Sequence, residues 1–234
     1  MSHEHMTLAG WRLWKRSLLA LVALGLTMTV AGCSILGLGT TKGSGSVKAE
    51  SRTVSGFTKV QVSGAGILNI AQTGTESLTI SAEDNLLPLL TSDVSDGTLI
   101  LGVKQGQSIS PTEPITYTLT VKQLTSIDLS GAASINAVNI QTDALTISCS
   151  GAGTVTITGS AQSQSVTISG SGSYNARKFQ TADSTVLISG IGSATVTASQ
   201  TLNATISGAG SITYYGSPKV SQSVSGAGSI KQGQ

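Results

Sequence analysis

The tetrad Ser-Gly-x-Gly begins at Ser63, Ser150, Ser169, Ser189, Ser207 and Ser225, with a degenerate copy at Ser130 where Ala133 takes the last position. The intervals in chain order are 67, 20, 19, 20, 18 and 18 residues. A unit this small cannot bury an apolar face alone and has to stack on its neighbours. The flanks repeat with the tetrad. Val62, Leu129, Cys149, Ile168, Ile188, Ile206 or Val224 stands just before each serine, and Leu68, Ile135, Val155, Tyr174, Ala194, Ile212 or Ile230 five positions after it. Each unit is thus two short runs of period two around a glycine corner, the pattern of half-buried strands rich in Val, Ile and Thr.

The unit is too short for a propeller blade and lacks the leucine signature of leucine-rich repeats. It fits one coil of an all-β, single-stranded parallel β-helix of about 18–22 residues per coil, with the apolar positions stacked inward. The preference for right-handed crossovers between parallel strands favours a right-handed coil. Glycine suits the corner in two ways, by reaching positive φ and by letting backbones approach without a Cβ. The G-x-G letters do not read as a phosphate cradle, because a strand and not a helix N-terminus follows each one. Division of the repeat region by the period predicts nine or ten coils, a rod about 45 Å long at ~4.8 Å per layer. Between Ile70 and Ser126 the period lapses. There Leu78-Thr79-Ile80 and the runs 98–103 and 115–121 read as strands of three wider coils, separated by AEDNLLPLLTSDVSDG and KQGQSISPTEP. Loops on a rigid scaffold are where a specific site is expected.

Ahead of the repeats, Arg12, Lys15 and Arg16 precede an apolar run from Leu18 to Leu26 that leads into Val30-Ala31-Gly32-Cys33. A positive segment, a short apolar stretch and small residues form an export signal, too short for a comfortable membrane span. The ending resembles a bacterial lipobox, in which the cysteine is lipidated and becomes the mature N-terminus. Residues 1–32 are therefore expected to be a lipoprotein signal peptide, Cys33 the lipid-attachment residue, 33–52 a flexible Gly/Ser-rich tether and 53–234 the repeat domain. Ser34 after the cysteine resembles the outer-membrane sorting pattern. The expected location is the bacterial cell envelope, with the membrane as a partner through the N-terminal lipid.

At 39% hydrophobic and a formal charge of +2 the chain is expected to fold, and 13 basic against 11 acidic residues leave no footprint for nucleic acid. Cleavage would remove 32 of 234 residues, leaving 202, and would take His3, His5, Trp11 and Trp14 with it. The mature chain then has no histidine and no tryptophan. Losing Arg12, Lys15, Arg16 and Glu4 leaves ten basic and ten acidic side chains, so no long-range field steers a charged partner.

Catalytic chemistry is sparse. Cys149 shares the register position of Leu129, Ile168 and Ile206 and reads as a core thiol; no histidine remains to activate it. Glu83, Asp84, Asp93 and Asp96 gather in the early loops, where a calcium site or an acid–base pair is the alternative to a solvated face. Arg177 and Lys178 read as a loop pair with Asp183 as ion partner. The aromatic side chains available for sugar stacking are Phe57, Phe179, Tyr117, Tyr174, Tyr214 and Tyr215, several of them inward in the register. Outward pairs such as Thr154/Thr156 and Thr195/Thr197 resemble a hydroxyl ladder for ordered water, yet do not recur on every coil. No cofactor and no metal site is expected.

An early AEDNLLPLLTSDVSDGTLIL segment followed by tandem SGAG and SGSG units resembles the bacterial head-GIN-domain family of auto-transporter adhesins, over roughly Val54 to Ile230. The resemblance implies a fold like the right-handed β-helix of pectin lyases and a role in adhesion, with no catalytic residues to carry over. The leading expectation is a non-enzymatic envelope lipoprotein that binds a surface glycan or protein. An envelope structural protein assembling end to end, and a polysaccharide-active lyase-like enzyme, are the alternatives.

Overall fold

Seventeen strands follow one another in the computed structural model, which describes residues 39–234. They are β1 (Thr40–Lys42), β2 (Val47–Arg52), β3 (Lys59–Val62), β4 (Ile67–Gln72), β5 (Ser77–Glu83), β6 (Leu90–Ser95), β7 (Thr98–Val103), β8 (Ser108–Ser110) and β9 (Thr116–Val121) in the first half. Then come β10 (Ser126–Leu129), β11 (Ser134–Cys149), β12 (Thr154–Ile168), β13 (Ser173–Ile188), β14 (Ser193–Ile206), β15 (Ser211–Tyr215), β16 (Lys219–Val224) and β17 (Ser229–Gln232). The signal segment and Cys33 lie outside the described residues.

From β10 onward the chain is a parallel β-solenoid. Each half-coil pairs in register with the next, so that Val60, Ile127, Ile147, Val166 and Val186 stack in one column. Val62, Leu129, Cys149, Ile168, Ile188 and Ile206 form the next. Both columns are buried throughout. Tyr174 fills the column between Val155 and the small Ala194, and its buried hydroxyl donates to Gln164 Oε1 at 2.9 Å. A buried tyrosine needs such a partner.

The corners explain the tetrad. The amide of Ala132, Ala152, Ser171, Ile191 or Ala209 donates to the carbonyl of the second tetrad residue one layer below, at 3.1–3.2 Å, so the ladder runs through the turn without a break. A Cβ on Gly131, Gly151, Gly170, Gly190, Gly208 or Gly226 would overlap that carbonyl oxygen. Close approach is therefore what demands glycine here. The positive φ expected of these corners is absent at those six residues.

The first half departs from three wider coils. The helix proper makes about five turns rather than nine or ten. Below it, β5 runs antiparallel to β9 and to β2, and β6 antiparallel to β7. One wall nevertheless reads β17-β15-β14-β13-β12-β11-β4-β9-β5-β2, ten strands and so about 43 Å at ~4.8 Å per step. The expected length survives because antiparallel cap strands extend the stack. The expected tether also shortens, since Thr40 to Lys42 pairs with β8 and Val47 to Arg52 with β5.

The chain does not lay these layers down in order. β3 lies between β7 and β10, and β4 between β9 and β11. To pass from β9 to β10, residues 122–125 must step across the edge of the β3–β4 layer. That crossing accounts for the 67-residue interval between Ser63 and Ser130.

Candidate binding surface

The crossing is bordered by a run of shallow depressions. Three shallow depressions of about 580, 560 and 320 Å³ all include Gln123 in their walls. The first two also share Thr142 and Asp143. Together they run from Glu76 and Lys122, past Lys59 and Thr125, to Ser160 and Gln162.

The floor of this groove is fixed by side chains that pin the crossing. Gln72 donates through Nε2 to the carbonyls of Lys122 and Gln141, both at 3.1 Å, and its Oε1 accepts the Gln141 amide at 2.9 Å. Glu76, with a side chain only 6% exposed, accepts Lys122 Nζ at 2.9 Å and the Gly56 amide at 3.1 Å. The Lys122 hydrogen bond, helped by the amides of Phe57 and Gly56, holds the Glu76 carboxyl below its ordinary value against the opposing effect of burial. Gln123, Asp143, Ser160 and Gln162 remain exposed above this floor. The groove thus offers amides, hydroxyls and charges of both signs, with apolar surface between them, on a base pinned by Gln72 and Glu76.

The four early acidic residues do not come together as a site. Glu83 is fully buried and accepts the amides of Gly45 at 2.7 Å and Thr112 at 2.9 Å, besides the Thr112 hydroxyl. The Thr112 hydroxyl, followed by those amides, keeps its pKa below the ordinary value although burial opposes this. Asp84 accepts from Ser44 Oγ at 2.6 Å and lies 3.3 Å from Lys48 Nζ. Both carboxylates therefore fasten the β1–β2 turn onto β5. Asp93 lies on β6, and Asp96, at φ +49°, forms with Gly97, at φ +72°, the two-residue turn between β6 and β7. Among the described residues no three His, Cys, Asp or Glu side chains are grouped to hold a metal ion.

The other expected residues fall as follows. Cys149 is buried, and burial pushes its thiol up to about 11. Arg177 and Lys178 belong to β13 and not to a loop, at a break in its pairing with β14. Arg177 stacks over the Tyr215 ring at 4.4 Å, while Asp183, its expected ion partner, accepts instead from Thr201 Oγ1. Phe57, Phe179, Tyr117 and Tyr174 are buried, and Tyr214 and Tyr215 are half-buried. The hydroxyl ladder fails as well, since Thr197 is buried and donates to the Arg177 carbonyl, and Thr156 is flanked by Asn136 and Asn175. Gln72, Glu76, Gln123 and Asp143 were not expected. Their signal was the Lys122-Gln123-Leu124-Thr125 link between two strand runs at the end of an irregular interval.

The fold is a parallel β-solenoid of about five turns, capped by antiparallel strands and carrying shallow depressions along one edge. The chain belongs to the family described as putative auto-transporter adhesin, head GIN domain, whose pattern matches residues 56–218. It is similar to the solved structure of a putative adhesin from Bacteroides fragilis, at 26% identity and a TM-score of 0.70, over 82% of this chain and 99% of that one. A putative adhesin from Parabacteroides distasonis shares the fold at 22% identity and a TM-score of 0.50, over 83% of this chain and all of that one. Among curated proteins none matches.

Proposed function

We propose that this protein is a lipid-anchored component of the bacterial cell envelope that acts by binding, holding a polar surface glycan or protein along the groove around Gln123. The observation that carries the reading is the groove itself, whose floor is pinned by Gln72 and Glu76 while Gln123, Asp143 and Gln162 stay free to bond a partner. Such preorganisation lowers the ordering cost of binding. Support for adhesion comes from the family and from the Bacteroides structure. Support for anchoring comes from Val30-Ala31-Gly32-Cys33, with Cys33 as the lipidated residue.

The same groove argues against catalysis. Its ionisable groups are Lys59, Glu76, Lys122 and Asp143, and Glu76 and Lys122 bond each other. Glu76 and Lys122 are thus engaged with each other rather than free to exchange a proton with a bound ligand. The test is retention of residues 39–234, immobilised on beads, by a panel of envelope glycans and surface proteins. The wild-type domain should retain a ligand saturably and unchanged, and the triple variant Gln123→Ala, Asp143→Ala, Gln162→Ala should lose at least tenfold in affinity. Equal retention by both proteins, or chemical conversion of the ligand, would overturn the reading.

A further inference from the structure

In a regular strand consecutive side chains point to opposite faces, so one of two neighbours turns inward. β13 departs from this at one place. Between Asn175, paired with Thr195, and Gln180, paired with Thr197, four residues of β13 stand opposite Val196 alone. Ala176 and Phe179 are buried at the two ends of this bulge, and Arg177 and Lys178 between them are both exposed. A bulge re-aims side chains in this way. Its backbone is held by neighbouring side chains. The buried Thr197 hydroxyl donates to the Arg177 carbonyl at 2.9 Å, and the Arg177 amide donates to Asn175 Oδ1 at 3.3 Å.

Two cations thus stand side by side. Among the described residues neither forms an ion pair with a carboxylate side chain, and Asp183 is bonded to Thr201 instead. The wider charge distribution does not offset them. Residues 173–234 hold four basic side chains and one acidic, whereas residues 39–172 hold six basic and nine acidic. The repeat domain is balanced as a whole yet positive in the part that carries the bulge.

Arg177 is oriented for a planar anion. Its guanidinium lies 4.4 Å from the centroid of the Tyr215 ring, a contact that fixes one face of the group. Its N–H edge is left with one long contact, from Nη2 to the Gln234 oxygen at 3.5 Å. A carboxylate matches that fork with two parallel hydrogen bonds and would displace the long contact. Hydroxyls and an amide surround the pair, since Thr156 and Thr195 flank Asn175 and Thr158 lies beside Lys178. β13 runs between β12 and β14 and so offers no free sheet edge to an extended peptide.

We propose that the β13 bulge binds an acidic glycan, with a uronate carboxylate on the Arg177 fork, Lys178 as the second cation and the flanking Thr and Asn side chains bonding sugar hydroxyls. Neither cation lines the groove around Gln123, so either assignment can fail without the other.

The test is affinity electrophoresis of residues 39–234 through gels containing alginate, a polymer of uronates. A domain of this extent stands alone in the Bacteroides relative, whose chain is matched to 99%. Alginate should retard the wild-type domain, and its propylene glycol ester, with capped carboxylates, should not. The pair Arg177→Gln, Lys178→Gln should lose at least about tenfold in affinity, in line with charged hydrogen bonds, at an unchanged melting temperature. Arg177→Lys, which keeps the charge without the fork, should lose several-fold. The control pair Lys104→Gln, Lys219→Gln removes two charges elsewhere and should bind like wild type. Absence of retardation, an equal loss in the control pair, or full binding by Arg177→Lys would overturn the proposal. Poly-L-glutamate binding as tight as alginate would overturn it too, and would assign the bulge to an acidic protein segment.

Discussion

Gly190→Ala and Gly64→Ala make the same chemical change at the same tetrad position, yet the stack predicts opposite outcomes. At Gly190 the new methyl overlaps the Gly170 carbonyl oxygen and lies 2.6 Å from that of Ser169, both of them backbone atoms that cannot rotate away. The two coils must part by roughly 1 Å to restore ordinary contact. That movement breaks the Ile191 amide bond to Gly170 O, now 3.2 Å, and stretches its neighbours from Ser189 and Ser193. One or two hydrogen bonds at about 1 kcal/mol each, with overpacking strain of about 1–3 kcal/mol, give a loss of about 2–5 kcal/mol. For a domain of this size that corresponds to a fall of roughly 5–20 °C in melting temperature. At Gly64 nothing lies within 4 Å, and φ is not in the left-handed region. Alanine there should be neutral or stabilising by about 0.4–1 kcal/mol, through the reduced entropy of the unfolded chain. Thermal melts followed by circular dichroism measure both. Equal shifts in the two variants would refute the argument that close approach, and not chain flexibility, fixes these glycines.

Three further outcomes follow from the same geometry. Ile206→Asp, in a buried column, should destabilise by several kcal/mol, about 3 or more, whereas its half-exposed neighbour Thr205→Asp should change little; similar melting temperatures would mean a wrong register. Because the Glu83 carboxyl is held below its ordinary 4.5, its contribution to stability is complete above about pH 4.5 and is lost as the pH falls through the folded value. The gap in melting temperature between wild type and Glu83→Gln should therefore shrink from pH 7 to pH 3, and a constant gap would contradict the buried latch. Cys149 should resist a thiol reagent in the native protein and react fully in denaturant; fast native labelling would show that the coil opens at that layer.

The solenoid was legible because two signals coincide, a fixed period and an alternation of two. Cys149, Ile168 and Ile206 could be set in one inward column from letters alone, and they are buried there. The cap was harder to read, since parallel and antiparallel strands share the same side-chain period. One signal for it was present: Asp96-Gly97 between Ser95 and Thr98 is a two-residue hairpin turn with both residues at positive φ. The order of β2 lay beyond local reading. Five of its six residues are exposed, and its place is set by the β5 backbone and by Glu83 and Asp84 gripping the turn before it. The groove was invisible for a similar reason. Gln72 and Glu76 lie far in sequence from Gln123 and Asp143, and the two segments are brought together because one link steps over a layer, which no motif records.

The proposal that this chain is a lipid-anchored solenoid presenting its groove on the cell surface is tested most directly by protease accessibility of the full-length protein on intact host cells. A Cys33→Ala variant and membrane fractionation accompany it. The account predicts that the wild-type domain is digested on intact cells and sediments with the membrane, and that Cys33→Ala releases it into the soluble fraction. A domain protected until the outer membrane is opened, or a Cys33→Ala protein that still sediments with the membrane, would contradict it.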